Sequence, residues 1–210
     1  AMAAAPGRGV AQELDLDSLL SAHAYEVRVE EGRLAGSGAE VIFRAADPAQ
    51  FVGILEEHNV RQLAGFSAAL FAELHRREGF RYMALEQGSV ILRWLNEPGV
   101  RGDAEAVSEV VARFPHALTF ATDQEIEMIV SVGRESDALH RPVWGVDQEF
   151  GALHILSRLQ ELATSRRARD EVAALVAEAS RYESTRAGDT LYLSQVALPD
   201  DFRRLPALFE

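Results

Sequence analysis

The stretch from Phe51 to Glu86 constrains the fold more than any other part of the chain. Phe51-Val-Gly-Ile-Leu55 is a short apolar run of the kind that fills a buried strand, and it ends in Glu56-Glu57-His58-Asn59. Leu63, Phe66, Leu70 and Leu74 then recur along one helical stripe, and Gly79 supplies a C-terminal stop. A second apolar run, Phe80-Arg-Tyr-Met-Ala-Leu85, leads directly into Glu86. Strand, helix, strand in that order predicts two parallel neighbours joined by a right-handed crossover.

The flanking sequence continues in the same alternating style. A short helix is expected near Leu14 to Ala22, then a strand over Tyr25-Glu-Val-Arg-Val29 closed by a Glu31-Gly32 turn. Gly36-Ser37-Gly38 opens a further helix through Val41 and Phe43, and it lacks the third glycine of a phosphate loop. Asp103 can cap a helix carrying Val107, Val110 and Val111, which makes Arg101-Gly102-Asp103 a turn plus a cap. Ala117-Leu-Thr-Phe120 reads as a strand, and Thr122 with Glu125 has capping-box spacing. Pro142-Val-Trp-Gly-Val146 reads as a strand ending at Asp147, with Trp144 packed in the core. The Leu153, Leu156, Leu159, Leu162 stripe and the Val172, Leu175, Val176, Ala179 stripe predict an αα-hairpin. A last strand over Thr190 to Gln195 and a helix after Pro199 complete the expectation. The fold class is α/β: a mixed or mostly parallel sheet with helices on both faces, plus the C-terminal αα-hairpin. One domain is expected over 11–210, behind a tail at 1–10.

In open α/β sheets, ligands gather at the carboxyl ends of the strands. Glu56, His58, Glu86 and Asp147 all fall at such ends. An imidazole titrates near ~6.5, so at neutral pH it can take a proton from water or a hydroxyl. A neighbouring carboxylate orients it and stabilises the imidazolium, and a second can move a proton or ligate a metal. The structural reading of the same residues is a solvated strand end followed by a helix cap. His75, His140 and His154 sit among charged or helical residues and are expected at the surface or in the core, while His116 fits either role.

Three segments, Phe51 to His58, Gly79-Phe-Arg-Tyr-Met-Ala-Leu-Glu86 and Val143-Trp-Gly-Val-Asp-Gln-Glu-Phe150, together resemble the erythromycin esterase family. That family belongs to a superfamily with haem-binding lipoproteins and Tiki-type metalloproteases. The resemblance spans about residues 50 to 160. It implies a hydrolase of esters, lactones or peptide-derived substrates, in keeping with natural-product modification. By this likeness His58 is the general base, Glu56 its orienter and Glu86 the second acid, with Arg61 and Asp147 toward the substrate. The chain departs from the family in carrying Leu55 where a glycine is usual, in offering only Arg61 for a helix arginine, and in lacking a match for a later histidine. The rival expectation is a catalytically degenerate module that binds or scaffolds a small ligand or a partner protein. A homo-oligomer or a companion half-protein would supply what the shorter chain lacks.

Composition removes other chemistries. The chain has no cysteine and all 21 of its basic residues are arginine, so thiolate nucleophiles, Cys-ligated metals, Schiff bases and P-loop lysines are absent. No Gly-x-Ser-x-Gly elbow occurs. A net charge of −12 argues against a nucleic-acid partner. No metal and no cofactor is expected at the site. No apolar run nears the ~20 residues that span a bilayer, and the opening residues do not read as a signal peptide, so a cytoplasmic protein without a membrane partner is expected.

Overall fold

The computed structural model describes residues 15–55, 57–58, 60–136, 140–149, 151–185 and 205–206. Within them the chain is a mixed α/β structure of eight helices and two small sheets. The expected tail at 1–10, Glu56, the 190–195 strand and the helix start after Pro199 lie outside the described residues. No described helix is long and apolar enough to cross a membrane.

Helix α1 (Leu16–His23) is capped by Asp15, whose carboxylate accepts the Ser18 amide, and it buries none of its residues. The strand expected from Tyr25 begins only at Arg28. It forms β1 (Arg28–Glu30), an antiparallel hairpin with β2 (Arg33–Ala35). Glu31 at φ 51 and Gly32 at φ 74 make the two-residue turn, matching the right-handed strand twist. Helix α2 (Ser37–Ala46) follows. A Cβ on Gly36 or Gly38 would overlap the backbone or side chain of Glu26 and Val27. Close packing, not phosphate binding, accounts for this pair of glycines.

Residues 51–55 are not a strand. Phe51 is 84% exposed and Leu55 97%, and no strand ladder joins the segment to another described element. An apolar run becomes a buried strand only when a neighbour accepts its backbone bonds, and here none does. Helix α3 (Arg61–Glu78) forms as its stripe predicts, ending on Gly79 at φ 72. It packs two ways: Ala64 and Phe71 into the main core, Ala69, Leu70 and Leu74 against Leu34 and Phe43.

Strand β3 (Met83–Gly88) starts later than the apolar run and continues through Glu86. Its parallel partner is β4 (Val143–Asp147), not residues 51–55, so the crossover runs through three helices rather than one. These are α4 (Ser89–Leu95), α5 (Ala104–Arg113) and α6 (Asp123–Glu135). Asp103 caps α5 through the amides of Glu105 and Ala106, and Thr122 caps α6 through that of Glu125. The pair α7 (Leu153–Leu162) and α8 (Arg166–Thr185) makes the expected hairpin, with its own cluster of Leu156, Val172 and Ala179.

A two-stranded sheet is marginal alone and needs packing on at least one face. Ile91, Leu92 and Leu95 of α4, Val107 of α5, Ile129 and Val132 of α6 and Val143 of β4 provide it, all 4% exposed or less. Fully burying such a side chain contributes ~1.5–3 kcal/mol. The buried Asn96 side chain covers the sheet edge: its Nδ2 donates to the carbonyls of Leu92 and Val143, and its Oδ1 accepts the Val143 amide.

Candidate functional site

The β3–β4 ladder slips by one residue. Met83, Ala84 and Leu85 face Val143, Trp144 and Gly145, but Gly88 faces Asp147. Glu86 and Gln87 therefore share the place opposite Val146, a bulge that re-aims both side chains. Glu86 projects into solvent, and Gln87 is turned inward and 1% exposed.

Outside the bulge, His58 Nε2 lies 3.5 Å from Glu86 Oε2, with both side chains about half-exposed at 49% and 53%. The imidazole also rests on Phe120, ring centroids 4.5 Å apart. Phe120 is held there by the other half of the bulge. The Gln87 Oε1 accepts the Thr119 amide at 2.8 Å and its Nε2 donates to the Phe120 carbonyl at 3.3 Å. One side-chain amide thus stands where a neighbouring strand would be. Residues 117–120, expected as a strand, are a string of bends, because Gln87 bonds them one peptide at a time.

Beside this pair lies a cavity of about 600 Å³ whose wall includes Glu86. Phe51, Ile54 and Leu55 form one side, Leu63, Leu70 and Phe71 of α3 another, and Met83 and Leu85 of β3 the third. Ser67, Glu125 and Glu86 are among its few polar groups. The lining suits an apolar body with a polar reacting end.

The other expected site residues are distributed as follows. Asp147 ends β4 opposite Gly88, on the strand beside Glu86. Arg61 is the exposed first residue of α3, on the segment that follows His58. Glu57 is exposed. Among the described residues, no group of three or more His, Asp and Glu side chains could hold a metal ion.

Two residues at the same strand ends form a second acid–imidazole pair. His154, 1% exposed, lies with Nε2 2.8 Å from Glu149 Oε2. Glu149 Oε1 accepts the Val90 amide at 2.5 Å and lies 3.4 Å from Ser89 Oγ. His154 belongs to the core, one of the two roles its surroundings suggest. Its acid partner, Glu149, lies five positions earlier, before α7 begins, and no periodicity or capping pattern links the two. His75 is likewise used structurally, donating from Nδ1 to the Phe80 carbonyl at 2.6 Å and stacking on Phe71. Trp144 departs from expectation: it is 50% exposed, because the alternation along β4 turns Val143 inward and Trp144 out.

No family model, curated protein or solved structure matches the chain.

Proposed function

We propose that the chain is a hydrolase for an ester, lactone or peptide-derived substrate with an apolar body, using His58 as general base. The observation that carries this reading is the approach of His58 to Glu86 at 3.5 Å beside the apolar cavity. The resemblance of the three sequence segments to the erythromycin esterases supports the same assignment. In the proposed reaction His58 removes a proton from water as the water oxygen bonds to the substrate carbonyl carbon. Glu86 stabilises the imidazolium so formed. When the tetrahedral intermediate collapses, the bond from that carbon to the leaving oxygen or nitrogen breaks, and His58 returns the proton to the leaving group. Glu56 is assigned the orienting role and Arg61 and Asp147 contacts to substrate. The cavity holds the substrate's apolar portion.

The second reading, a binding module, is favoured by the open apolar wall at residues 51–55, which suits a ligand or a partner protein as well as a substrate. A panel of activated esters, lactones and short peptides separates the two. Turnover that disappears in His58→Ala supports the hydrolase. Saturable binding of a panel member without turnover, with His58→Ala altering affinity alone, establishes the module instead.

A further inference from the structure

Across Tyr82, whose ring lies in the wall of both, the apolar cavity adjoins a shallower cleft of about 380 Å³. That volume is at the small end of ligand sites, which run ~300–1,000 Å³. The cleft is walled by Tyr82, Trp144, Ser89, Arg93, His140 and Arg141.

Two features mark this cleft. The first is an aromatic platform. Tyr82 and Trp144 pack at 4.8 Å between ring centroids and 36°, yet each remains about half-exposed. The Trp144 indole is locked in place by its Nε1–H, which donates to the Arg141 carbonyl at 2.9 Å. A fixed, half-exposed ring pair offers a face to a flat ligand at little further entropic cost.

The second feature is uncompensated positive charge in a chain whose net charge is −12. Among the described residues, the arginines that lie over aromatic rings are neutralised. Arg77 lies over Phe43 and is bonded to Glu73; Arg113 and Arg158 lie over Trp94 and are paired with Glu161 and Glu97. The guanidinium groups of Arg93 and Arg141 have no ion pair or hydrogen bond to any described residue, and both line the cleft. Guanidinium forks bind carboxylate and phosphate with paired charge-assisted hydrogen bonds.

We infer that this cleft is a binding site for a small aromatic anion: a flat ring seated on Tyr82 and Trp144, its carboxylate or phosphate held by Arg93 and Arg141. The assignment does not depend on the hydrolytic reading: Tyr82 is shared with the substrate cavity, but Arg93, Arg141 and Trp144 have no role in that chemistry.

The chain's two tryptophans make the test direct. Trp144 lies in the cleft, whereas Trp94 is buried at 9% exposure against Phe114 and serves as the internal control. The indole N–H resonances of ¹⁵N-labelled full-length protein are followed during titration with phenyl phosphate, benzoate, inorganic phosphate and benzyl alcohol. The expected result is a saturable shift of the Trp144 resonance, with Trp94 unmoved, for phenyl phosphate, benzoate or both. A dissociation constant of about 1 mM or tighter is expected. Which of the two binds more tightly identifies the headgroup. Arg93→Gln and Arg141→Gln should each weaken binding roughly tenfold, the typical size of a lost charged hydrogen bond. Neither arginine supports the core, so unfolding midpoints should stay in place. The inference is overturned if neither aromatic anion saturates, if benzyl alcohol or inorganic phosphate binds as tightly, or if the two arginine variants bind like the parent.

Discussion

His154 Nε2 lies 2.8 Å from Glu149 Oε2, in a setting where His154 is 1% exposed and the Glu149 side chain 13%. Because the other Glu149 oxygen accepts the Val90 amide, this contact ties the start of α7 to the start of α4. It therefore closes the carboxyl ends of both parallel strands at once. A site built there inherits its rigidity from this pair rather than from its own exposed members.

Breaking that pair should be costly. Glu149→Ala leaves a buried imidazole and the Val90 amide without their acceptor, and His154→Ala opens a cavity beside Phe114. Each should destabilise the protein by about 2–4 kcal/mol in urea unfolding. The two losses should be less than additive, since the second substitution removes the group the first left stranded. Full additivity would show that the two residues do not act as a unit.

Gly145 and Gly88 pack at the same junction but differ in what they touch. A Cβ on Gly145 would overlap the backbone carbonyls of Gln87 and Gly88, whereas one on Gly88 would meet the end of the Glu149 side chain. Backbone cannot yield without breaking the β3–β4 ladder itself, whereas the Glu149 side chain can move aside at the expense of its contacts to Val90 and His154. Gly145→Ala should therefore lower the thermal midpoint more than Gly88→Ala, a ranking that calorimetry of the two variants decides.

Gln87→Leu keeps the approximate volume and removes both bonds to residues 119 and 120. Leaving a part-buried amide and carbonyl unsatisfied costs up to about 1–3 kcal/mol for each group. The variant should also release Phe120 from His58, so any hydrolytic activity should fall with stability. Gln87→Glu preserves the acceptor for Thr119 but faces the Phe120 carbonyl with an oxygen, and should be impaired as well. A Gln87→Leu protein with parental stability would mean the amide does not anchor the 117–120 segment.

For the proposed chemistry, His58→Ala should reduce kcat by about 10²–10⁴-fold, the usual worth of a general base. Its fold should be unaffected, because the side chain is half-exposed. Glu86→Gln keeps size while removing charge and should be severely impaired. Glu57→Gln is the control, expected within a factor of about two of the parent. Circular dichroism checks each variant, and comparable losses for Glu57→Gln and Glu86→Gln would contradict the assignment.

Acid should weaken the protein partly through Glu73, which is 7% exposed on α3. Burial raises its pKa, but hydrogen bonds from Arg77 and Arg76 outweigh this and hold the carboxyl below its ordinary value of 4.5. A carboxyl lowered by folding adds stability above its unfolded pKa and loses it as pH falls through the folded one. Stability should thus drop from about pH 4.5 downward. Glu73→Gln should make that drop shallower, as read from urea midpoints between neutral and acid pH. An unchanged acid slope would remove Glu73 from the account.

Much of the architecture could be read from local pattern. The α3 stripe ending at Gly79, the Asp103 and Thr122 caps, the Glu31-Gly32 turn and the α7–α8 hairpin each depend on residues within a few positions of one another. Helical periodicity and capping are short-range physics, so they survive in the sequence. His58 and Glu86 stand out as polar residues that follow apolar runs expected to be strands, and only the second of those runs forms one.

What depended on pairing at a distance could not be read this way. An apolar run does not encode its neighbour, so residues 51–55 were indistinguishable from β4 as a partner for β3, and only the packed core decided between them. The one-residue slip at Glu86 and Gln87 arises from register between strands some 60 positions apart, and it sends one side chain to His58 and the other to Thr119 and Phe120. The same holds for Glu149 with Val90 and for the gathering of Tyr82, Arg93, Arg141 and Trp144 around one cleft. The sequence by itself determined most of the helices and where they stop, because those choices follow from local backbone bonding; α4 (Ser89–Leu95), which has no side-chain cap and directly continues β3, was not legible. Tertiary structure decided which strands meet, in what register and with which side chains brought together, because those outcomes minimise buried unpaired polar groups and exposed apolar surface over the whole fold.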